Sequence, residues 1–115
     1  MTIKEKISGD VAILSLKGDL VSEADTLKLK QKIHSLASDK MKHIVIDMSS
    51  VEYVNSSGLG AMISALTTMR SSGGDLRLAQ LSEGVENLFV ITKLVQVFGT
   101  YDTIERAIAS YVAHP

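Results

Sequence analysis

The chain has 115 residues, 45% of them hydrophobic and 22% charged, with twelve Lys+Arg against thirteen Asp+Glu and a formal charge of -1. That length supports one domain with its own core, and the near-neutral balance offers no cationic excess for a phosphate backbone, which argues against nucleic-acid binding. With no cysteine, a disulfide scaffold, a thiol nucleophile and a Cys-ligated zinc are excluded. Apolar runs such as Ile44-Val45-Ile46 fall far short of the roughly 20 residues of a spanning helix. Met1-Thr2-Ile3-Lys4-Glu5-Lys6 lacks the apolar core of a signal peptide. The expectation is a cytoplasmic protein without membrane insertion. The only proline is Pro115 and no linker is visible, so a single domain over residues 1–115 is expected.

Ile3 to Ile7 alternates weakly, and Ser8-Gly9-Asp10 is a turn signal. Residues 11–16 suit a pleated surface and stop before Gly18, which predicts two strands joined by a tight turn. Ser22-Glu23-Ala24-Asp25 reads as a helix start, with Ser22 as cap and acids in the first turn. The helix is expected to end near Ser38, with Leu29, Ile33, Leu36 and Ala37 on one face. Residues 43–48 form a short apolar run that suits a strand buried on both faces. A second helix follows Asn55, its expected face being Leu59, Met62, Ile63, Leu66 and Met69, and Ser71-Ser72-Gly73-Gly74 ends it. Leu76, Leu78 and Leu81 mark another strand. Ser82-Glu83-Gly84 opens a short helix carrying Val85, Leu88 and Phe89 inward. Residues 94–98 are expected to hold a last short strand before Gly99. Asp102-Thr103-Ile104-Glu105 reads as a capping box with Asp102 as cap, ahead of an inward face of Ile104, Ala107, Ile108 and Tyr111. Alternation after the first hairpin predicts an α/β fold, a mixed sheet of four to five strands with about four helices packed on it.

Catalytic patterns are scarce. His34, His43 and His114 fall on a helix face, beside a strand start and at the terminus, and HExxH, P-loop and GxSxG motifs are absent. No catalytic residue, cofactor or metal site is expected. Asp47 stands near the end of the central strand, where α/β enzymes place catalytic acids, but a turn residue bonding its own loop is the simpler role. The informative stretch is Val54-Asn55-Ser56-Ser57-Gly58-Leu59-Gly60, between a buried strand and an amphipathic helix. Asn55 or Ser56 can cap that helix. Glycine in a first turn costs ~1 kcal/mol against alanine, so Gly58 and Gly60 imply that something approaches the backbone closely. A neighbouring strand, a ligand or a partner protein would each do so. A nucleotide phosphate is one such ligand. Against it, Ile63 stands where the third glycine of a dinucleotide fingerprint belongs, and about seven residues separate the strand from Gly58.

Over Asp47-Met48-Ser49-Ser50-Val51-Glu52-Tyr53-Val54-Asn55-Ser56-Ser57-Gly58-Leu59-Gly60 the chain resembles STAS domains of the anti-sigma-factor antagonist type. The stretch is similar to the family's strand, loop and Asp-Ser-Ser/Thr-Gly-Leu-Gly signature. Gly18-Asp19-Leu20 resembles the family's Gly-Glu-Leu before the first helix. Gly73-Gly74-Asp75-Leu76 and Val85-Glu86-Asn87-Leu88-Phe89 also fall in family positions. The resemblance covers nearly the whole chain and implies a single STAS domain over residues 1–115.

That resemblance implies a non-enzymatic regulator of transcription that works by partner switching. The unphosphorylated antagonist binds an anti-sigma factor with a kinase-type ATP-binding fold and so frees the sigma factor. The kinase phosphorylates the serine after the signature Asp, and a serine phosphatase reverses it. Carried residue by residue, the phosphoacceptor is Ser56, with Ser57 the alternative. The partner-binding residues are Gly18, Asp19, Leu20, Val21, Ser22, Asn55, Ser56, Ser57, Gly58, Leu59 and Gly60. Two positions depart from the pattern. The signature Asp is Asn55, and the acid that commonly follows Gly-Glu-Leu in phosphorylated members is Val21, so negative charge near the acceptor is reduced. This keeps a second reading open, a STAS scaffold or transporter-associated module that binds partners without a phosphorylation cycle. A third, a small nucleotide-binding or nucleotide-hydrolysing protein, rests on the G-x-G alone.

Overall fold

A computed structural model describes residues 1–112; His114 and Pro115 lie outside the described residues. Strand β1 (Thr2–Ser8) pairs antiparallel with β2 (Val11–Lys17) across Gly9, whose φ of 61° is the left-handed conformation that a tight hairpin requires. Helices then alternate with strands: α1 (Glu23–Ser38), β3 (His43–Ser50), α2 (Ser56–Ser71), β4 (Asp75–Ala79), α3 (Glu83–Ile91), β5 (Gly99–Tyr101) and α4 (Ile104–Val112). The order is β1-β2-β3-β4-β5, and every pairing from β2 onward is parallel. This is the expected mixed α/β sheet.

The central strand β3 has core on both faces, so its run does not alternate: Ile44, Val45 and Ile46 are fully buried. Ile44, Ile46 and Met48 join Leu14, Leu16, Leu76 and Leu78 beneath Leu29, Ile33, Met62, Met69 and Phe89. On the opposite face Val11, Ile13, Val45 and Ala79 pack under Ala107 of α4, flanked by Tyr101, Ile104, Ile108 and Tyr111. Three helices therefore cover one face and α4 part of the other.

Several expectations need correction. Ile63 is 41% exposed, and the buried face of α2 is Gly58, Ala61, Met62, Ala65, Leu66 and Met69. Small side chains let α2 sit close to its neighbours α1 and β4, so the inward stripe is turned toward the alanines. Residues 94–98 hold no strand. Lys93 takes a φ of 62° and reverses the chain after α3 into a 3₁₀ turn, Leu94–Gln96. Phe98 then drops into the core against Phe89, ring centroids 5.6 Å apart, and the strand begins only at Gly99. Leu81 lies beyond β4, which ends at Ala79 because Gln80 has a φ of 60°. The cap of α4 is Thr103, not Asp102: Thr103 Oγ1 accepts from Arg106 N at 3.1 Å.

At the amino-terminal end of β3, His43 stacks on Tyr111 with centroids 4.3 Å apart, and its Nδ1 lies 3.3 Å from Asp10 Oδ2. The Arg77 guanidinium sits 4.0 Å from the same tyrosine ring centre, and Tyr111 Oη donates to the Ile44 carbonyl at 2.7 Å. Burial first, and the Asp75 charge second, push the Tyr111 hydroxyl above its ordinary value of 10.0. This cluster ties α4 to the sheet at the end opposite the start of α2.

Candidate partner-binding surface

Parallel β2, β3 and β4 end on one side of the sheet, where the loops leading into α1, α2 and α3 emerge. The loops after β2 and β3 are bonded to each other along their length. Gly18, at a φ of 109°, donates from its N–H to the Ser50 carbonyl at 3.3 Å. Asp19 Oδ1 accepts from the Glu52 and Tyr53 amides at 3.0 and 3.2 Å. Leu20 N–H donates to the Tyr53 carbonyl at 3.1 Å, and Asn55 N–H donates back to the Leu20 carbonyl at 3.3 Å, across an isolated parallel bridge between Leu20 and Val54. Two connecting segments are thus built as a short extension of the sheet.

Asn55 completes the platform. Its Oδ1 accepts from Gly58 N–H at 2.8 Å and caps α2, while its Nδ2 donates to the Val21 carbonyl at 2.8 Å. Ser22 caps α1 in the same way, accepting from Asp25 N–H at 3.1 Å. Hydrogen bonding with Ser22 holds the Asp25 carboxyl below its ordinary value.

The two glycines have different causes. A Cβ on Gly58 would meet the Leu20 carbonyl oxygen at 2.3 Å and Val54 Cγ1 at 2.8 Å, so only glycine lets the loop after β2 cross the first turn of α2. What approaches Gly58 is the chain itself. Nothing lies within 4 Å of a Cβ on Gly60, which faces open space.

These contacts gather the candidate partner-binding residues at one end of the molecule. Gly18, Val21, Ser22, Asn55, Ser56, Ser57 and Gly60 are exposed, and Asp19 and Leu59 are half-buried. Leu20 and Gly58 are buried and lie beneath the surface as its support. Ser56 and Ser57 follow the cap and open α2, whose first turn carries no acid. Asp19 spends its carboxylate on the two amides of the neighbouring loop.

One feature of the surface escaped sequence reasoning. Tyr53 is 67% exposed and stands with exposed Val21 on the two joined loops. An aromatic residue in a polar loop straight after a buried strand is the available signal, and exposed tyrosines are typical interface anchors. Ser82 also reaches this end: its Oγ donates to the Val51 carbonyl at 3.0 Å and accepts from Val85 N–H at 3.4 Å at the start of α3.

Other candidates have structural roles. Asp47 is buried, accepting from Ser15 Oγ at 3.2 Å and Ser49 N–H at 3.0 Å. His34 is exposed on α1. Among the described residues no group of His, Cys, Asp or Glu is placed to hold a metal ion, and no helix is long and apolar enough to cross a membrane.

A five-stranded mixed sheet with a bonded loop platform and an exposed serine pair at the head of α2 defines an α/β domain of STAS architecture. The chain belongs to the STAS domain family, whose model matches residues 2–107. It is 32% identical over 102 residues to a Thermotoga maritima protein named as a candidate anti-sigma factor antagonist, covering 89% of this chain and 90% of that one. A crystal structure of a candidate antagonist from Thermotoga maritima superposes with a TM-score of 0.87 at 28% identity, over 94% of this chain and 92% of the other. The anti-sigma factor antagonist SpoIIAA in its unphosphorylated form shares the fold, with a TM-score of 0.74 at 16% identity over 98% and 100% of the two chains. The phosphorylated Bacillus SpoIIAA superposes equally well, at 0.74.

Proposed function

We propose that this protein is an anti-sigma factor antagonist that acts by binding rather than by catalysis. Its docking face is the platform of residues 18–22 and the start of α2, residues 55–60. The observation that carries the reading is the mutually bonded pair of loops presenting Ser56 and Ser57 at a capped helix start. Stability is invested in holding a surface, which is what a binding module requires. The names of the relatives point the same way.

The partner is an anti-sigma factor with a kinase-type ATP-binding fold, and Ser56 is the phosphoacceptor that releases it, with a serine phosphatase as the opposing enzyme. Ser56 is exposed, and free N–H groups and the helix dipole accommodate an anion at that position. The fold carries a phosphoryl group in the phosphorylated SpoIIAA structure. A phosphate would add about -1.5 to -2 charges and act on the partner through repulsion and desolvation.

A second reading rests on Asn55, whose amide bond to the Val21 carbonyl makes the uncharged residue part of the platform. That would suit a scaffold module that binds constitutively. Affinity capture from native cells separates the two readings. Wild-type protein should retain a kinase-fold anti-sigma factor and Gly60→Arg should lose it while the circular-dichroism spectrum stays folded. Capture of a transporter or scaffold subunit in its place selects the second reading, and capture that survives Gly60→Arg moves the interface elsewhere.

A further inference from the structure

The longest open backbone edge of the sheet is β1, whose first residue pairs with Lys17 beside Gly18 of the platform. Among the described residues it pairs only with β2, and it stands at one end of the strand order. Alternate N–H and C=O groups along its seven residues therefore point outward without a strand partner. The opposite edge, β5, has three residues.

The register decides where each β1 side chain points. Ile3, Glu5 and Ile7 oppose Leu16, Leu14 and Ala12, on the side that α1 covers. Lys4 and Lys6 oppose Ser15 and Ile13, on the α4 side, and Lys17 opposes Thr2 there. Glu5 is paired, its Oε1 lying 2.7 Å from Lys32 Nζ. Lys4, Lys6 and Lys17 have no carboxylate within 4.0 Å among the described residues. Lys4 and Lys6 border a groove of about 550 Å³ walled by Ile13, Ile104 and Ile108, which also meets Glu5, already paired with Lys32, and Glu105 of α4. On the α1 side a second groove, about 470 Å³, runs between Ile3 and the Lys28, Gln31 and Lys32 side chains. Ile7, on that same side, is 49% exposed.

A strand laid against β1 would send alternate side chains to the two sides. We infer that β1 accepts an extended acidic segment of another protein as an added strand, its carboxylates meeting Lys4 and Lys6 and its apolar side chains meeting Ile3 and Ile7. A second copy of this chain is the wrong occupant. Two-fold antiparallel pairing must set one residue against its own mate. Centred on Lys4 or Lys6 it opposes two ammonium groups; centred on Glu5 it opposes two carboxylates and sets each Lys4 against a Lys6; centred on Ile3 or Ile7 it avoids both clashes but overlaps only three residues of β1. Like charges directly opposite are repulsive. The charges that oppose self-pairing along the middle of β1 favour an acidic strand, the two halves of one specificity.

The test uses the whole, isotope-labelled protein and an end-capped seven-residue peptide alternating glutamate and valine. Amide shifts should concentrate in β1, and hydrogen exchange of its outward amides should slow. The double variant Lys4→Glu/Lys6→Glu should bind this peptide about fivefold more weakly or worse, while a lysine–valine peptide should now bind the variant. If the double variant fails to fold by circular dichroism, Lys6→Gln supplies the comparison and should still weaken binding. Shifts outside β1, no binding, or equal affinity in the variants would overturn the proposal. So would a wild-type dimer held through β1, or phosphatidylglycerol vesicles competing for Lys4 and Lys6 more strongly than the peptide does. Lys4 and Lys6 oppose Ser15 and Ile13 of β2, whereas Gly60 stands on α2, so Gly60→Arg should leave this titration unchanged, and a failure here is distinguishable from a failure at the docking platform.

Discussion

The side-chain amide of Asn55 bonds the Val21 carbonyl at 2.8 Å and so joins the two loops that carry the candidate docking surface. The bond uses Nδ2, the half of the amide that a carboxylate lacks. The same side chain caps α2 through Oδ1. Asparagine at this position is therefore a two-sided connector, and its difference from the family's aspartate has a structural meaning beyond lost charge.

Asn55→Asp should keep the cap and gain a favourable charge at the helix start, about 0.3–1 kcal/mol. It should also lose a hydrogen bond worth about 1 kcal/mol and set a carboxylate oxygen against the Val21 carbonyl. The net expectation is destabilisation by about 1 kcal/mol in urea unfolding, with faster hydrogen exchange at the loop amides. Asn55→Ala loses both bonds and should cost about 1–2 kcal/mol. An Asn55→Asp protein more stable than wild type would refute the connector role.

The pair Gly58 and Gly60 gives a sharper contrast. Gly58→Ala drives a methyl group to 2.3 Å from the Leu20 oxygen, and backbone must move to relieve it. Roughly 3 kcal/mol of destabilisation is expected, the upper end for overpacking. Gly60→Ala meets nothing within 4 Å and gains helix propensity, so it should stabilise by up to ~1 kcal/mol. Thermal denaturation of the two variants decides the matter, and opposite signs are the expected result.

The fold was legible where chemistry is local. The unbroken apolar run of β3, the serine caps of α1 and α3 and the turn at Gly9 each follow from neighbouring residues. The misreadings came from tertiary demands. Ile63 is apolar and correctly spaced, yet the stripe of α2 turns toward Ala61 and Ala65 because the helix packs close to α1 and β4. Lys93 enters a left-handed turn that no local signal marks. At the candidate site, the helix start was visible as a polar, glycine-containing stretch. The reason for Gly58 was not, since the oxygen it accommodates belongs to Leu20 in a different loop. The second bond of Asn55 spans 34 positions of sequence and depends on β2 and β3 lying side by side.

Tyr111 provides a pH-dependent test of the cluster at the far end of the sheet. Burial and the Asp75 charge raise its pKa in the folded protein above the ordinary 10.0, whereas the unfolded chain titrates normally. Above pH 10 the unfolded state therefore holds fewer protons than the folded one, and stability falls as pH rises. Through this group stability should be flat to about pH 9, then decline toward a slope of about 1.4 kcal/mol per pH unit. Tyr111→Phe should remove that part of the slope. It should also cost about 1 kcal/mol at neutral pH, because the Ile44 carbonyl loses its hydroxyl partner. Urea unfolding at a series of pH values measures both, and an unchanged slope in the variant would place the alkaline transition elsewhere.

Ser56 is the position at which stability and binding should move in opposite directions. It opens α2 just after the Asn55 cap, is exposed, and belongs to a first turn without an acid. A negative charge there interacts favourably with the helix dipole, so Ser56→Asp should raise stability by about 0.3–1 kcal/mol. The same charge stands on the proposed docking face and should weaken the captured anti-sigma factor's affinity through repulsion and desolvation. Phosphorylation should act in the same sense with a larger charge. Incubation with the partner kinase and ATP, followed by peptide mass spectrometry, should place the phosphate on Ser56, with Ser56→Ala unmodified. Modification that persists in Ser56→Ala and vanishes in Ser57→Ala would transfer the role to the neighbouring serine. Wild-type protein that stays unmodified while Asn55→Asp accepts phosphate would show that asparagine has silenced the switch and left a constitutive binder.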